Sequence, residues 1–335
     1  MNLKRIVVWA LMTALVASCA AGTAFAADTV PLEGRMTLYT SQPERDVTKL
    51  IAAFNELHPD VAVDVFRSGT EEVVSKVRAE HAVRSVLADV LLVADSVTFE
   101  SLKEDGMLLP YDSPEMKGIP EEYLDKDRTY AGTKIISTGI IYNTTKVKEP
   151  PVSFADLAKS EYKDSIIMPS PLYSGAAAYN LGVMTRTEGL GWEFYEALKA
   201  NNIRIEKGNG AILTAVVAGE KACGLVVDFM TVRSKRDGAP VEFVYPLEGS
   251  PAVTEPIGIL KTTEVPELAK AFVDFVLSAE GQKVAAEMGY TPVKDGVEAP
   301  EGLKSVGEIK SMVYDIAVLK EAREAEKARF SAMFQ

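Results

Sequence analysis

The sequence predicts an α/β fold made of two lobes, because short apolar runs alternate with amphipathic stretches along most of its 335 residues. The run at 89–93 is short and rich in valine and leucine, which is typical of a buried strand. Val47, Leu50, Ile51 and Phe54 instead repeat at helical spacing, which places them on one face of a helix. Strands and helices that alternate in this way build a mostly parallel sheet with helices on both faces.

The first lobe is predicted from two separate stretches of the chain. Strands and helices alternate until the pattern loosens after Tyr111, and a later strand returns to the same set. We assign residues 27–136 and 255–305 to this lobe. Its predicted strands are 36–39, 61–66, 89–93 and 256–260, and its predicted helices are 47–54, 71–80, 97–103 and 266–277.

The second lobe is predicted from a second strand–helix set, and we assign it residues 137–254 and 306–335. The chain must then cross between the lobes near 137–140 and again near 254–258, so we expect hinges there and a cleft between the lobes. The predicted strands are 134–142, 166–168 and 224–227, and the predicted helices are 176–185, 192–200, 212–217 and 306–327.

The first 26 residues predict an export signal. Lys4 and Arg5 precede a short apolar run at 6–17, and residues 24–26 form a small-residue cleavage site. The run is shorter than the roughly 20 residues that cross a bilayer. We therefore predict a periplasmic protein. The alternative is a lipoprotein anchored through Cys19, because the residues before it also resemble a lipobox.

Composition and charge argue against several classes of function. The formal net charge is −12, and nucleic-acid binding relies on basic residues that neutralise phosphates, so we expect no nucleic-acid partner. Phosphate-loop, dinucleotide-binding and nucleophile-elbow motifs are missing, and the two histidines, His58 and His81, lack metal-ligand spacing. We expect no catalysis, no cofactor and no metal, with an exported hydrolase as an alternative. Cys223 lies in an apolar stretch and predicts a buried thiol.

The strongest chemical signal is a loop that leads into a predicted helix and consists of Tyr173, Ser174, Gly175 and Ala176. The free N–H groups and partial positive charge of a helix N-terminus favour phosphate, phosphonate or carboxylate. Gly175 lets the backbone approach an anion, and the Ser174 hydroxyl adds a donor. Asn209 repeats the arrangement before the helix at 212–217. An ordinary helix cap at each position is the alternative.

Small polar residues also follow the predicted strands of the first lobe. In open α/β sheets, ligands bind at the carboxyl ends of the strands, where such loops gather. We therefore expect neutral donors to the ligand from Ser41, Ser68, Gly69, Thr70 and Ser96.

Short motifs occur in a characteristic order after the leader. They read LYTSQ at 38–42, ADV at 88–90, GMLLP at 106–110, GIIYN at 139–143, AGE at 218–220, AKAFVDF at 269–275 and EGQ at 280–282. In this order the chain resembles the extracellular solute-binding proteins of ABC importers, in the group with ferric-ion-binding and phosphonate-binding members. The resemblance implies a type II periplasmic binding protein fold. It also implies a monomer that delivers a small solute to a membrane permease and its ATPase.

The resemblance also implies where a ferric ion would be held. The positions of the family's histidine, carboxylate and tyrosine pair correspond here to Pro43, to Ala94 or Asp95, and to Phe229 and Met230. Phenylalanine and methionine cannot supply the hard oxygen ligands that Fe(III) prefers. The metal-binding half of the family's site is therefore expected to be lost.

The anion-binding half of the family's site is intact, because its positions correspond to Ser174, Gly175, Ala176 and Asn209. The segments at 228–233 and 244–249 look most like 2-aminoethylphosphonate-binding proteins. This implies a solute with a phosphate or phosphonate group, with Asp228 as the partner of an ammonium group and Glu255 as a weaker candidate. The alternatives are a ferric ion, another metal or another organic solute on the same fold.

Overall fold

The computed structural model describes residues 32–334, which form a curled sheet with helices packed against it. The predicted leader at 1–26, with Cys19, and the last residue of the chain lie outside these residues. Twelve strands occur in the described part: β1 (Gly34–Thr40), β2 (Val61–Arg67), β3 (Val90–Leu92), β4 (Leu108–Leu109), β5 (Ala131–Asn143), β6 (Ile166–Pro169), β7 (Arg204–Glu206), β8 (Cys223–Val227), β9 (Val241–Val244), β10 (Ser250–Leu260), β11 (Thr291–Pro292) and β12 (Ser311–Met312).

Ten α-helices accompany these strands within residues 32–334, and a few short 3₁₀ turns connect them. The helices are α1 (Glu44–Leu57), α2 (Thr70–Ala82), α3 (Ser96–Glu104), α4 (Gly175–Met184), α5 (Gly191–Ala200), α6 (Asn209–Val217), α7 (Asp228–Arg236), α8 (Pro266–Leu277), α9 (Ala279–Glu287) and α10 (Ile316–Phe334).

The sheet contains two parallel sets of strands. The main path runs β2-β1-β3-β10-β5-β8-β6-β7. β1 pairs in parallel with β2 and β3, and β6 pairs in parallel with β7 and β8. Each of these strands is followed by a helix, so the carboxyl ends of both sets present helix N-termini. This confirms the predicted α/β class with two sets of elements. The prediction of a mostly parallel sheet was wrong, because β10 pairs antiparallel with β3, β4 and β5, and β5 pairs antiparallel with β8, β9 and β11.

Two long antiparallel strands, β5 and β10, join the sets. The first half of β5 pairs with β10, and its second half pairs with β8 from Thr138 onward. The register of β10 shifts between Thr254 and Pro256. The change of β5 partner at Thr138 and the register shift of β10 both fall inside the segments predicted as hinges. The hinge motion and the lobe boundaries stay predictions.

Apolar faces fix the helices on the sheet. α1 buries Val47, Leu50 and Phe54, as the helical spacing predicts. The Phe54 ring packs edge-on against Phe272 of α8, with ring centroids 5.1 Å apart. Cys223 is fully buried in β8, which confirms the predicted buried thiol, and burial raises its pKa to about 12.

The end of the chain departs from the prediction. The segment at 306–327 was predicted as one helix, but it contains a 3₁₀ turn at Val306–Glu308 and the strand β12 before α10 begins at Ile316. The Asp315 carboxylate accepts a hydrogen bond from the Ala317 N–H at 2.8 Å, which stabilises the start of α10 at this point. The strands β4, β7, β9 and β11 and the helix α9 were also not predicted.

Among residues 32–334, no helix has both the length and the apolar character needed to cross a membrane.

Candidate functional site

A cavity of about 290 Å³ lies where the N-termini of several helices meet. The contributing ends belong to α1, α2, α4, α6 and α7, each of which follows the carboxyl end of a strand. Its lining residues include Ser41, Pro43, Arg67, Gly69, Thr70, Ala94, Ile136, Tyr173, Ser174, Gly175, Ala176, Lys207, Gly208, Asn209, Val227, Phe229, Met230, Glu255 and Tyr290.

Most of these helix N-termini lack a side-chain cap. No side chain accepts a hydrogen bond from the first turn at the N-caps Pro43, Gly69 and Gly208. At α4, by contrast, the Ser174 hydroxyl oxygen accepts from the Ala177 N–H at 3.3 Å. The first N–H groups of a helix have no acceptor within the helix. The cavity is therefore bordered by the positive ends of helix dipoles and by first-turn N–H groups, of which the Glu71 N–H of α2 already donates to the Tyr173 carbonyl oxygen at 3.3 Å.

The loop before α4 contacts the loop before α2 closely. A Cβ on Gly175 would lie 2.4 Å from the Ala94 carbonyl oxygen and 2.8 Å from Thr70 Oγ1. A Cβ on Gly69 would lie 2.6 Å from the Tyr173 ring. Glycine is thus required at both positions, and loops that follow the two sets of strands meet at this point of the cavity.

The two predicted anion-binding positions are neighbours. Asn209 Nδ2 lies 3.5 Å from Ser174 Oγ, so α4 and α6 present adjacent N-termini. Ser41 follows Thr40, which pairs with Arg67 across β1 and β2. We use the name anion face for the group made of Ser41, Arg67, Thr70, Ser174, Gly175 and Asn209.

Two basic side chains that were not predicted from the sequence line the cavity. The Arg67 Nε donates to the Gln42 carbonyl oxygen at 2.9 Å, and no carboxylate in the described part of the chain lies within ion-pair distance of Arg67. Lys207 is exposed, lies 3.4 Å from a Glu72 carboxylate oxygen and sits 5.3 Å from the centre of the Tyr173 ring. Each basic residue comes just before a glycine-containing helix start, and this sequence signal could have indicated both.

The buried charges beside the cavity are paired. Glu255 accepts from Lys134 Nζ at 2.6 Å and from the Gln42 amide at 2.9 Å. Tyr290 donates its hydroxyl to Asp46 at 2.6 Å, and Arg233 pairs with the same carboxylate at 2.6 Å. Lys134 also lies 4.8 Å from the Tyr290 ring centre, which connects the two pairs. We use the name paired network for Gln42, Asp46, Lys134, Arg233, Glu255 and Tyr290.

Two predicted serines are used elsewhere. Ser68 does not line the cavity, because its hydroxyl donates to the Glu72 carboxylate on α2. Ser96 does not line it either, and its hydroxyl forms a 2.9 Å hydrogen bond with Thr254 Oγ1. Both hydroxyls are engaged by neighbouring polar groups, and their role as donors to a solute stays a prediction.

Asp228 also lies outside the cavity lining, in contrast to its predicted role as an ammonium partner. Its carboxylate accepts from the N–H groups of Phe229 at 2.8 Å and Ser137 at 3.3 Å and from the Tyr245 hydroxyl at 3.2 Å. Burial raises its pKa to about 7, and these hydrogen bonds offset only part of the effect. Asp228 therefore connects α7 to β5.

A family model described as bacterial extracellular solute-binding protein matches residues 85–320. The chain belongs to this family. The match confirms the resemblance noted in the sequence, and members of the family bind solutes outside the cytoplasm.

Three relatives illustrate the range of this solute-binding family. Iron uptake protein A1 of Synechocystis is 27% identical over 303 residues, which are 85% of this chain and 83% of that protein. The putative 2-aminoethylphosphonate-binding periplasmic protein of Salmonella typhimurium is 23% identical over 222 residues, or 63% and 64% of the two chains. The solved structure of AfuA from Actinobacillus pleuropneumoniae with fructose 6-phosphate has a TM-score of 0.84 at 23% identity, covering 90% of this chain and 99% of AfuA. This likeness confirms the periplasmic binding protein fold.

The positions that the resemblance associates with ferric ion can be located in the structure. Asp95 does not line the cavity, because it accepts from the Thr98 N–H and pairs with Arg323 of α10 at 2.9 Å. Within residues 32–334, no three His, Cys, Asp or Glu side chains are grouped to hold a metal. The corresponding positions that do line the cavity are Pro43, Ala94, Phe229 and Met230.

Proposed function

We propose that this solute-binding protein captures a small organic phosphate or phosphonate in the periplasm and delivers it to an ABC permease. The observation that carries the proposal is Arg67, a cationic side chain without a carboxylate partner in the described residues, on the same cavity as the helix starts at Thr70, Ser174 and Asn209. A guanidinium group and helix N–H donors together match the oxygens of a phospho-anion.

The relatives support a phospho-anion in part. One is named for a phosphonate, and AfuA was solved with a sugar phosphate. Another is named for iron, but Fe(III) prefers hard oxygen ligands, and Phe229 and Met230 supply none. The finer prediction of 2-aminoethylphosphonate came from the segments at 228–233 and 244–249. Its first candidate for the ammonium partner, Asp228, lies outside the cavity lining, and its carboxylate is engaged by three donors.

We propose that binding closes the cleft rather than starting a reaction. The anion would dock between the loops that contain Thr70 and Ser174, which come from different sets of strands, and would hold these loops together. β5 and β10 would provide the hinges. The exported monomer would then present its closed form to the permease, released by signal cleavage or tethered through Cys19.

Isothermal titration calorimetry with the purified full chain tests this proposal. The panel contains methylphosphonate, 2-aminoethylphosphonate, phenylphosphonate, fructose 6-phosphate and Fe(III)-citrate. We expect binding of at least one phospho-anion, and we expect Arg67→Gln to weaken it about 10- to 100-fold, as for the loss of a charged hydrogen bond. Arg236→Gln is the matched control, because Arg236 is exposed at the end of α7 and does not line the cavity.

The proposal fails if no phospho-anion binds, or if Arg67→Gln binds as tightly as the Arg236→Gln control. Stoichiometric binding of Fe(III) alone, measured by metal analysis after gel filtration, would favour the ferric alternative.

A further inference from the structure

One part of the cavity lining beyond the anion face is apolar. Pro43, Ile136 and Val227 line it with hydrocarbon, and Phe229 and Met230 add an aromatic ring and a thioether. Pro43 and Met230 also border a second, smaller cavity of about 200 Å³. We use the name apolar face for these five residues.

The polar groups nearest the apolar face are already satisfied. Glu255 lines the cavity, but its carboxylate is neutralised by Lys134 and receives the Gln42 amide. Tyr290 lines the cavity with its ring, whereas its hydroxyl donates to Asp46. A solute group placed here would therefore find no uncommitted carboxylate, and a polar group buried without a partner is unfavourable.

The apolar face also contains a fixed aromatic ring. Phe229 is 4% exposed, and its ring centroid lies 4.2 Å from that of Tyr290. The Arg233 guanidinium lies 5.1 Å from the Phe229 ring centre. Contacts with two neighbours hold the ring in place, so the small part of Phe229 that lines the cavity can contact a ligand without losing conformational freedom. Met230 is half-buried and adaptable, and thioethers pack well against aromatic rings.

We infer that the solute carries its phosphate or phosphonate on a compact apolar body that contains a ring. This inference rests on the proposed function and names the solute class of the same site. The phospho-anion binds the anion face, and the ring packs on Phe229 and Met230. The cavity of about 290 Å³ matches a single ring with its anionic group, since it is at the lower end of the range for small-molecule sites.

The inference separates ring-bearing phosphonates from the two solutes suggested by the relatives. The ammonium group of 2-aminoethylphosphonate would have to displace Lys134 from Glu255. The several hydroxyl groups of fructose 6-phosphate would face hydrocarbon side chains. Both solutes would therefore lose hydrogen bonds to water without replacing them.

Calorimetry on the full chain tests this with four probes: phenylphosphonate, methylphosphonate, 2-aminoethylphosphonate and fructose 6-phosphate. We expect phenylphosphonate to bind about tenfold or more tightly than each of the other three. If methylphosphonate binds but phenylphosphonate binds no better, or if either polar solute binds more tightly, the inference is overturned while the proposed function stands. If none of the four binds, the proposed function itself fails.

Met230→Gln provides the second arm, because glutamine has a similar length but places an amide on the apolar face. We expect it to weaken phenylphosphonate about tenfold and to change methylphosphonate less than about twofold. Met333→Gln on α10 is the matched control, since Met333 is half-buried and does not line the cavity. An equal loss for both ligands in Met230→Gln, or unchanged affinity for both, would contradict a ring packed on Met230.

Discussion

The anion face and the paired network border the same cavity but differ in whether their charged side chains are paired within the protein. In the paired network, Lys134 and Glu255 are 2% and 4% exposed and lie 2.6 Å apart. On the anion face, Arg67 is solvent-exposed and has no carboxylate partner in the described residues. A buried charge must be neutralised within the protein, whereas an exposed charge is stabilised by water and stays available to pair with a ligand.

This difference assigns separate roles to basic residues of one site. Lys134 and Arg233 stabilise the fold because each neutralises a buried carboxylate. We expect Arg67 to contribute little to the fold and, under the proposed function, to contribute to affinity. Asp228 is an intermediate case, since it is as buried as the network but is surrounded only by neutral donors.

The largest effect is expected from breaking the paired network. Lys134→Met leaves the Glu255 carboxylate buried with only the Gln42 amide, so we expect the free energy of unfolding to fall by about 3–5 kcal/mol. Urea denaturation at pH 8 measures the loss. The double variant Lys134→Met/Glu255→Leu should recover most of it, and a double variant no more stable than Lys134→Met would contradict the uncompensated charge as the cause.

A pH-dependent effect is expected from Asp228. Its pKa of about 7 in the folded chain exceeds its ordinary value of 3.8, so between these pH values the folded chain retains a proton that the unfolded chain has released. The contribution of Asp228 to the free energy of unfolding is therefore highest below pH 4, falls as the pH rises to 7 and is constant above pH 7. Relative to wild type, the free energy of unfolding of Asp228→Asn should therefore rise by up to about 4 kcal/mol from the lower to the upper end of this pH interval. A tenfold change in an ionisation constant corresponds to about 1.4 kcal/mol.

Urea denaturation at pH 4.5, 5.5, 6.5 and 7.5 measures the Asp228 effect as the difference between the two proteins. Curves that stay parallel across this range would show that Asp228 does not titrate there.

The smallest effect on stability is expected from the anion face. Arg67→Gln should change the free energy of unfolding by less than about 0.5 kcal/mol, because the guanidinium is exposed and forms one hydrogen bond to a backbone oxygen. The same variant is expected to lose phospho-anion affinity. Denaturation without ligand and calorimetry with ligand separate the two effects, and a large loss of stability would place Arg67 with the paired network instead.

The strand and helix pattern was predictable because it depends on local spacing. The helix start at Ser174 and the polar residues near Asn209 were predictable for the same reason, since caps and glycines act within a few residues. The end of the chain was predicted less well. Residues 306–315 contain enough helix-forming residues to extend the pattern, but in the structure Met312 instead pairs with Pro251 of β10.

The basic residues of the cavity were not predictable in the same way. Arg67 and Lys207 each precede a glycine-containing helix start, which indicates only that they lie near a helix N-terminus. The fold shows that Lys207 lies 3.4 Å from a Glu72 carboxylate oxygen, whereas Arg67 has no carboxylate within ion-pair distance in the described residues. Asp228 follows a strand like a ligand-binding residue, yet its carboxylate points to Ser137 and Tyr245 rather than lining the cavity.

The sequence by itself determined the α/β class, the family resemblance and the helix starts that could receive an anion, because each depends on residues close together in the chain. Only the tertiary structure decided which charges are paired, since Asp46 and Arg233, or Lys134 and Glu255, are far apart in sequence and meet through the packing of the sheet. It also brought Thr70 and Ser174 to one cavity and left Arg67 facing it. The chemistry of the site depends on this pairing, and pairing is a property of the folded chain.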